Sequence, residues 1–99
     1  LFPEHGGTVI EDRTVIPVFE SPKPPPTRLS YTFPTICSAR EVWLVAAGAE
    51  KAEALAEALA PGADRNKYPA AGAIGTERTL ALIDAEAAAA LPAAMRRRA

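Results

Sequence analysis

The chain has 99 residues and a mass of 10.4 kDa, room for one small domain. Its 11 Lys and Arg against 12 Asp and Glu give a net charge of −1, which excludes the basic excess of a broad nucleic-acid footprint. The single cysteine, Cys37, excludes an internal disulfide and a multi-cysteine zinc site and fits a reducing, cytoplasmic setting.

No apolar run approaches the roughly 18 residues of a membrane span, so no membrane partner is expected. The composition changes near Ala39. Residues 1–38 hold seven of the 10 prolines and no alanine, whereas residues 39–99 hold all 22 alanines. Alanine buries little area, so 48% hydrophobic content still makes a thin core. The chain opens on Leu1 and reads as a single partial domain, 1–99, with a proline-rich segment 1–38 and a strand-helix segment 39–99.

In chain order, residues 1–7 read as loop, punctuated by Pro3, Gly6 and Gly7. Residues 14–19 are β-branched and apolar, a short strand that Pro17 confines to an edge or bulge. The run Ser21-Pro22-Lys23-Pro24-Pro25-Pro26 is extended and stiff, because each proline fixes its own φ and restrains its predecessor. Residues 28–33 alternate, which predicts a half-buried strand with Leu29, Tyr31 and Phe33 inward. Pro34 should end it, with a short helix over 35–40.

Residues 42–47, Val-Trp-Leu-Val-Ala-Ala, form a continuous apolar run that predicts a strand buried on both faces. Gly48 comes next, and 49–60 predicts a helix with Ala52, Leu55, Ala56 and Leu59 on one stripe and Glu50, Glu53 and Glu57 off it. Pro61-Gly62 stops that helix. Residues 62–78 read as loop and 80–83 as a second buried strand. Asp84 is then a candidate N-cap for a helix over 85–91, interrupted by Pro92. Strand–helix–strand–helix with buried strands predicts an α/β fold: part of an open sheet of mainly parallel strands covered by helices.

The turn Ala47-Gly48-Ala49-Glu50-Lys51-Ala52 is the strongest candidate for chemistry. A strand ends, a glycine turns the backbone, and a helix starts with a lysine in its first turn, an arrangement that suits phosphate. The pattern also fits an ordinary surface lysine, and Glu50 opposes an anion there. Lys23 and Arg28 flank the proline run, either as cations on a rigid loop or as part of a solvated connection. His5 is the only histidine, yet it carries no metal-ligand or triad spacing and reads as a surface residue. Cys37 reads as a small buried hydrophobe. Arg96-Arg97-Arg98 reads as a solvated tail complementing a helix C-terminus.

Leu1-Phe2-Pro3, Ser21-Pro22-Lys23-Pro24-Pro25, Arg28, Thr32, Ala39-Arg40-Glu41-Val42, Gly48-Ala49-Glu50-Lys51-Ala52 and Ile83-Asp84 occur in an order that resembles the 6-phosphogluconolactonase family. The resemblance covers nearly the whole chain and looks like the family's C-terminal part. It implies the sugar-phosphate isomerase-like, Rossmann-like fold shared with glucosamine-6-phosphate deaminases. It also implies hydrolysis of 6-phosphoglucono-δ-lactone to 6-phosphogluconate in the oxidative pentose phosphate pathway, with no metal or organic cofactor.

By the same resemblance, Lys51 matches a phosphate-contacting lysine, and Lys23 and Arg28 match positions near the substrate's anionic end. Family members carry Asp-Gly-His-Thr-Ala-Ser immediately before Leu-Phe-Pro, and its histidine is the implied general base. The base is therefore expected upstream of Leu1, no catalytic residue is assigned within 1–99, and His5 does not take that role. The 99 residues alone are expected to be inactive. Two other readings stay open: a deaminase-like sugar-phosphate enzyme, and a non-catalytic fragment that binds phosphosugar or completes a partner chain.

Overall fold

A computed structural model describes residues 1–95; the Arg96-Arg97-Arg98 tail lies outside the described residues. The proline-rich half folds as a hairpin. Strand β1 (Val15–Val18) pairs antiparallel with β2 (Arg28–Tyr31), with Ile16 opposite Ser30 and Pro17 opposite Leu29. Pro17 lacks an N–H, and a two-stranded sheet consists only of edges, so the strand tolerates it.

The face of β2 is the reverse of the sequence expectation. Leu29 and Tyr31 are 79% and 60% exposed, whereas Ser30 and Thr32 are buried. Alternation separates two faces without saying which one meets the core. Here the partner strand decides: Ile16 and Val18 are buried, and antiparallel pairing puts Ser30 and Arg28 on their side. Ile16 packs so closely on Gly7 that a Cβ there would come within 2.6 Å of Ile16 Cδ1. Buried Thr32 remains satisfied, because its Oγ1 donates to the Arg13 carbonyl at 2.6 Å.

Phe33 leaves the strand and opens a short helix, α1 (Phe33–Ile36), two residues earlier than the pattern placed it. Pro34 stands in its first turn, where a missing N–H costs nothing. Phe33 is buried, with the Arg65 guanidinium 4.7 Å above its ring.

In the alanine-rich half, β3 (Glu41–Ala46) pairs in parallel with β4 (Arg78–Ile83), from Glu41 opposite Arg78 to Ala46 opposite Ile83. The connection between them includes a 3-10 turn (Ala49–Lys51) and helix α2 (Ala52–Ala58). The expected helix over 49–60 is thus split, with a tighter first turn and an earlier end. Its stripe holds: Leu55 is buried, Ala52, Ala56 and Leu59 are half-buried, and the three glutamates are exposed.

Two further expectations are corrected. Neither parallel strand is buried on both faces, since Trp43, Val45 and Leu82 are 58%, 76% and 44% exposed. An apolar run signals double burial only where a layer covers each side of the sheet. Residues 85–91 form successive turns and no helix, although Ala87, Ala88 and Leu91 are buried. Pro92 disfavours helical geometry at Leu91, which removes the last turn of so short a segment. The architecture is α/β with two separate two-stranded sheets, one antiparallel and one parallel. An open sheet of more strands is not present among the described residues.

Candidate functional site

Lys51 stands at the junction of the 3-10 turn and α2, just beyond the carboxyl end of β3. Gly48 makes the turn possible, with φ +96° and ψ 151°, a conformation that side-chain-bearing residues rarely adopt. Its carbonyl accepts the Lys51 N–H at 3.2 Å. Its own N–H points at Asp84, the residue after the last of β4, and lies 3.2 Å from each carboxylate oxygen. Asp84 Oδ1 also accepts the Ala87 N–H at 2.8 Å.

This changes the site from the one the pattern suggested. One N–H of the glycine turn is already occupied by a carboxylate of the same chain, and α2 has only seven residues. Any anion at this turn therefore depends chiefly on the Lys51 side chain. That side chain is exposed, and no carboxylate lies within 4.0 Å of it among the described residues.

Lys23 and Arg28 come together on the other sheet, at the base of the proline loop. Arg28 Nε donates to the Pro25 carbonyl at 2.9 Å, and Nη2 donates to those of Pro24 at 2.7 Å and Lys23 at 3.2 Å. Ser21 closes the same loop, its N–H donating to the Pro26 carbonyl at 2.9 Å. Its hydroxyl lies 2.6 Å from the Lys23 carbonyl and donates to it. Arg28 is thereby half-buried and largely engaged with backbone, with Nη1 its remaining donor group. The Lys23 side chain is exposed. No hydrogen bond or ion pair links this pair to Lys51 among the described residues.

His5 belongs to the Arg28 cluster. Its ring lies 5.9 Å from that of Phe2, and Phe2 has the Arg28 guanidinium 6.0 Å above it. His5 Nδ1 is 2.8 Å from the Pro3 carbonyl and Nε2 is 3.3 Å from that of Glu20. Only the imidazolium donates to both, so these carbonyls, Pro3 first, hold its pKa above the ordinary value. A ring held by two acceptors is a tether between loops and is poorly arranged to take a proton from water. Cys37 is half-buried, its thiol donating to the Gly72 carbonyl at 3.1 Å. No cluster of three or more His, Cys, Asp or Glu able to hold a metal occurs among the described residues. No helix among them is long and apolar enough to cross a membrane.

Sequence reasoning treats Asp84 only as a cap for a helix and misses its bond to Gly48. The signal is present in part: parallel strands that end in register, at Ala46 and Ile83, bring their next residues to the same edge.

Comparison with known proteins bears on the chain as a whole. The family described as glucosamine-6-phosphate isomerases/6-phosphogluconolactonase matches residues 1–82. The chain is 59% identical over 92 residues to a 6-phosphogluconolactonase of Streptomyces coelicolor, covering 93% of this chain and 35% of that protein. It is 49% identical over 92 residues to a 6-phosphogluconolactonase of Mycobacterium tuberculosis, covering 93% and 37%. A probable 6-phosphogluconolactonase of Drosophila melanogaster is 44% identical over 84 residues, covering 84% and 34%. The chain spans about a third of the length of these curated relatives.

Proposed function

Since the chain belongs to the glucosamine-6-phosphate isomerase/6-phosphogluconolactonase family, matched over residues 1–82, we propose that it is the phosphate-binding portion of a 6-phosphogluconolactonase. The observation that carries this reading is the 59% identity over 92 residues to a protein of that name. The substrate is 6-phosphoglucono-δ-lactone, and the reaction is hydrolysis of its ring ester to 6-phosphogluconate in the cytoplasm. Residues 1–99 are one partial domain, and β3 and β4 are two strands of a wider parallel sheet. The exposed Trp43, Val45 and Leu82 support that, because parallel sheets are ordinarily covered on both faces.

Lys51 binds the phosphate. Its place at the carboxyl end of a parallel strand, free of ion pairs to described carboxylates, supports the role. Arg28, through Nη1, and Lys23 present further positive charge toward the anionic end from the stapled proline loop. Holding the phosphate orients the lactone carbonyl for attack, so binding energy remote from the reacting carbon lowers the barrier. The proton-abstracting base is a histidine of the family's Asp-Gly-His-Thr-Ala-Ser segment, and no group within 1–99 is assigned to that step.

The test is a hybrid in which this chain replaces the matching 92 residues of the Streptomyces relative. It should hydrolyse 6-phosphoglucono-δ-lactone well above the spontaneous rate, whereas residues 1–99 alone should not. Lys51→Ala should weaken binding of the phosphorylated lactone about ten- to a hundredfold, the loss of one charge-assisted contact. The loss on phosphate-free glucono-δ-lactone should stay within about twofold. Equal losses on both substrates would refute the assignment of Lys51.

A further inference from the structure

The Asp84 carboxylate sits where a phosphate-binding turn should least tolerate one. It lies one residue beyond β4, accepts the Gly48 N–H on both oxygens at 3.2 Å, and accepts the Ala87 N–H on Oδ1 at 2.8 Å. Its negative charge opposes an incoming phosphate, so electrostatics alone argues against an acid here. Hydrogen bonding argues for one. Gly48 turns the chain at φ +96°, and its two peptide groups are held from opposite sides: N–H by Asp84, carbonyl by the Lys51 N–H. Asp84 itself is fixed at the start of its own turn, where its carbonyl accepts the Ala88 N–H at 3.0 Å. A continuous line of bonds therefore runs from the end of β4 through Gly48 to the backbone of Lys51. Asp84 is exposed, so the carboxylate is not there to fill a core.

We propose that Asp84 is a positioning residue: it locks the Gly48 turn to the end of β4 and so fixes where Lys51 projects its ammonium. The inference rests on the reading of Lys51 as the phosphate contact. Geometry and charge then make opposite demands at one side chain, and substitution can separate them. An asparagine keeps an Oδ1 able to accept both N–H groups and removes the charge. A glutamate keeps the charge and displaces the carboxylate by one methylene.

The experiment measures KM and kcat of the hybrid on 6-phosphoglucono-δ-lactone and on glucono-δ-lactone. Asp84→Ala should raise KM for the phosphorylated lactone about five- to tenfold, with kcat changed less than about twofold. Asp84→Asn should give a KM well below that of Asp84→Ala. Its Oδ1 still accepts the Gly48 and Ala87 N–H groups and a repelling charge is gone, although the amide NH2 replaces the second oxygen facing Gly48. In the Lys51→Ala background, adding Asp84→Ala should change KM by less than about twofold, since its effect passes through the lysine. Should Asp84→Ala fail to fold, Asp84→Glu takes its place, with a KM rise of about threefold or more.

Equal losses on the two lactones, additivity in the double variant, or an asparagine as damaging as alanine each overturn the proposal. If Lys51→Ala alone shows no phosphate-selective loss, the lysine reading fails and the inference falls with it. If Lys51→Ala shows that loss and Asp84 variants do not, only Asp84 is wrong.

Discussion

Arg28 gives its Nε and Nη2 hydrogens to the carbonyls of Lys23, Pro24 and Pro25, whereas in the other half of the chain Asp84 receives the N–H groups of Gly48 and Ala87. The proline-rich half uses a cation to gather carbonyls, and the alanine-rich half uses an anion to gather amides. The reason is compositional. A run with prolines at 22, 24, 25 and 26 has few N–H groups to offer and an excess of acceptors, so only a donor-rich side chain can staple it. A glycine turn leading into a helix exposes N–H groups and calls for an acceptor. Arg28 is largely committed to backbone, whereas the Lys51 side chain is exposed, with no carboxylate within 4.0 Å of it among the described residues.

The strongest way to break that contrast is to exchange the two kinds of loss. Lys51→Ala in the hybrid should leave the thermal midpoint within about 1 °C, because an exposed lysine with no ion pair among the described residues adds little stability. Arg28→Ala should cost about 1–2 kcal/mol and lower the midpoint by a few degrees, since three carbonyls lose their donor. Arg28→Lys should behave like alanine in stability. It keeps the charge but lacks the planar fork that spans several acceptors. A destabilised Lys51→Ala beside a fully stable Arg28→Ala would reverse the comparison.

Cys37 sharpens it from another side, as a packing residue that joins the two halves through its bond to the Gly72 carbonyl. Cys37→Ala should cost about 1–2 kcal/mol by chemical denaturation, with little change in turnover. Rapid alkylation of the native thiol at neutral pH would contradict it.

The elements that local pattern decides are legible in the sequence itself. Pro17 belongs to an edge strand, Gly48 to a turn, and the Leu55 stripe faces inward, because each is dictated by one residue's own stereochemistry or by period 3.6. The expectations that fail depend on partners distant in sequence. Alternation assigns Leu29 and Tyr31 to the core, yet the pairing of Ser30 with Ile16 turns them outward. Trp43 and Val45 look doubly buried only by assuming a second covering layer. The helix over 85–91 rests on alanine content and a good cap; the cap forms and the helix does not. At the site, Lys51, Lys23 and Arg28 are visible as residue types in order. The carbonyls that claim Arg28, and the carboxylate that claims Gly48, require the fold.

His5 gives a smaller and pH-dependent handle on the proline-rich half. Its bonds to the Pro3 and Glu20 carbonyls raise its pKa above the ordinary 6.5, with Glu20's charge acting in the same direction. A raised folded value means the tether's contribution is fully present below the unfolded pKa near 6.5. It is lost as pH rises through the folded value. The His5 Cε1 proton should therefore titrate by NMR with a midpoint above 6.5, and Glu20→Gln should lower that midpoint slightly. A midpoint at or below the ordinary value would show that the two carbonyls do not hold the ring.

Glu41 is the counterpart in the alanine-rich half, with the opposite sign and the smallest expected effect. Its Oε1 accepts the Trp43 indole N–H at 2.9 Å and pairs with Arg78 Nη2 at 3.2 Å across the start of the parallel ladder. The indole bond first, and then the guanidinium, hold the carboxyl below its ordinary 4.5. The contribution is therefore present above the unfolded value and lost as pH falls through the folded one. Trp43 is the only tryptophan, so in residues 1–99 its emission should report the release of its N–H. The step should fall below pH 4.5, with far-ultraviolet circular dichroism unchanged across it. In Glu41→Gln an amide oxygen can still accept the indole N–H but no proton is taken up, so the step should vanish. An emission change that survives that substitution would assign the transition to unfolding of the sheet, and Glu41 would then be an exposed acid without influence on its neighbours.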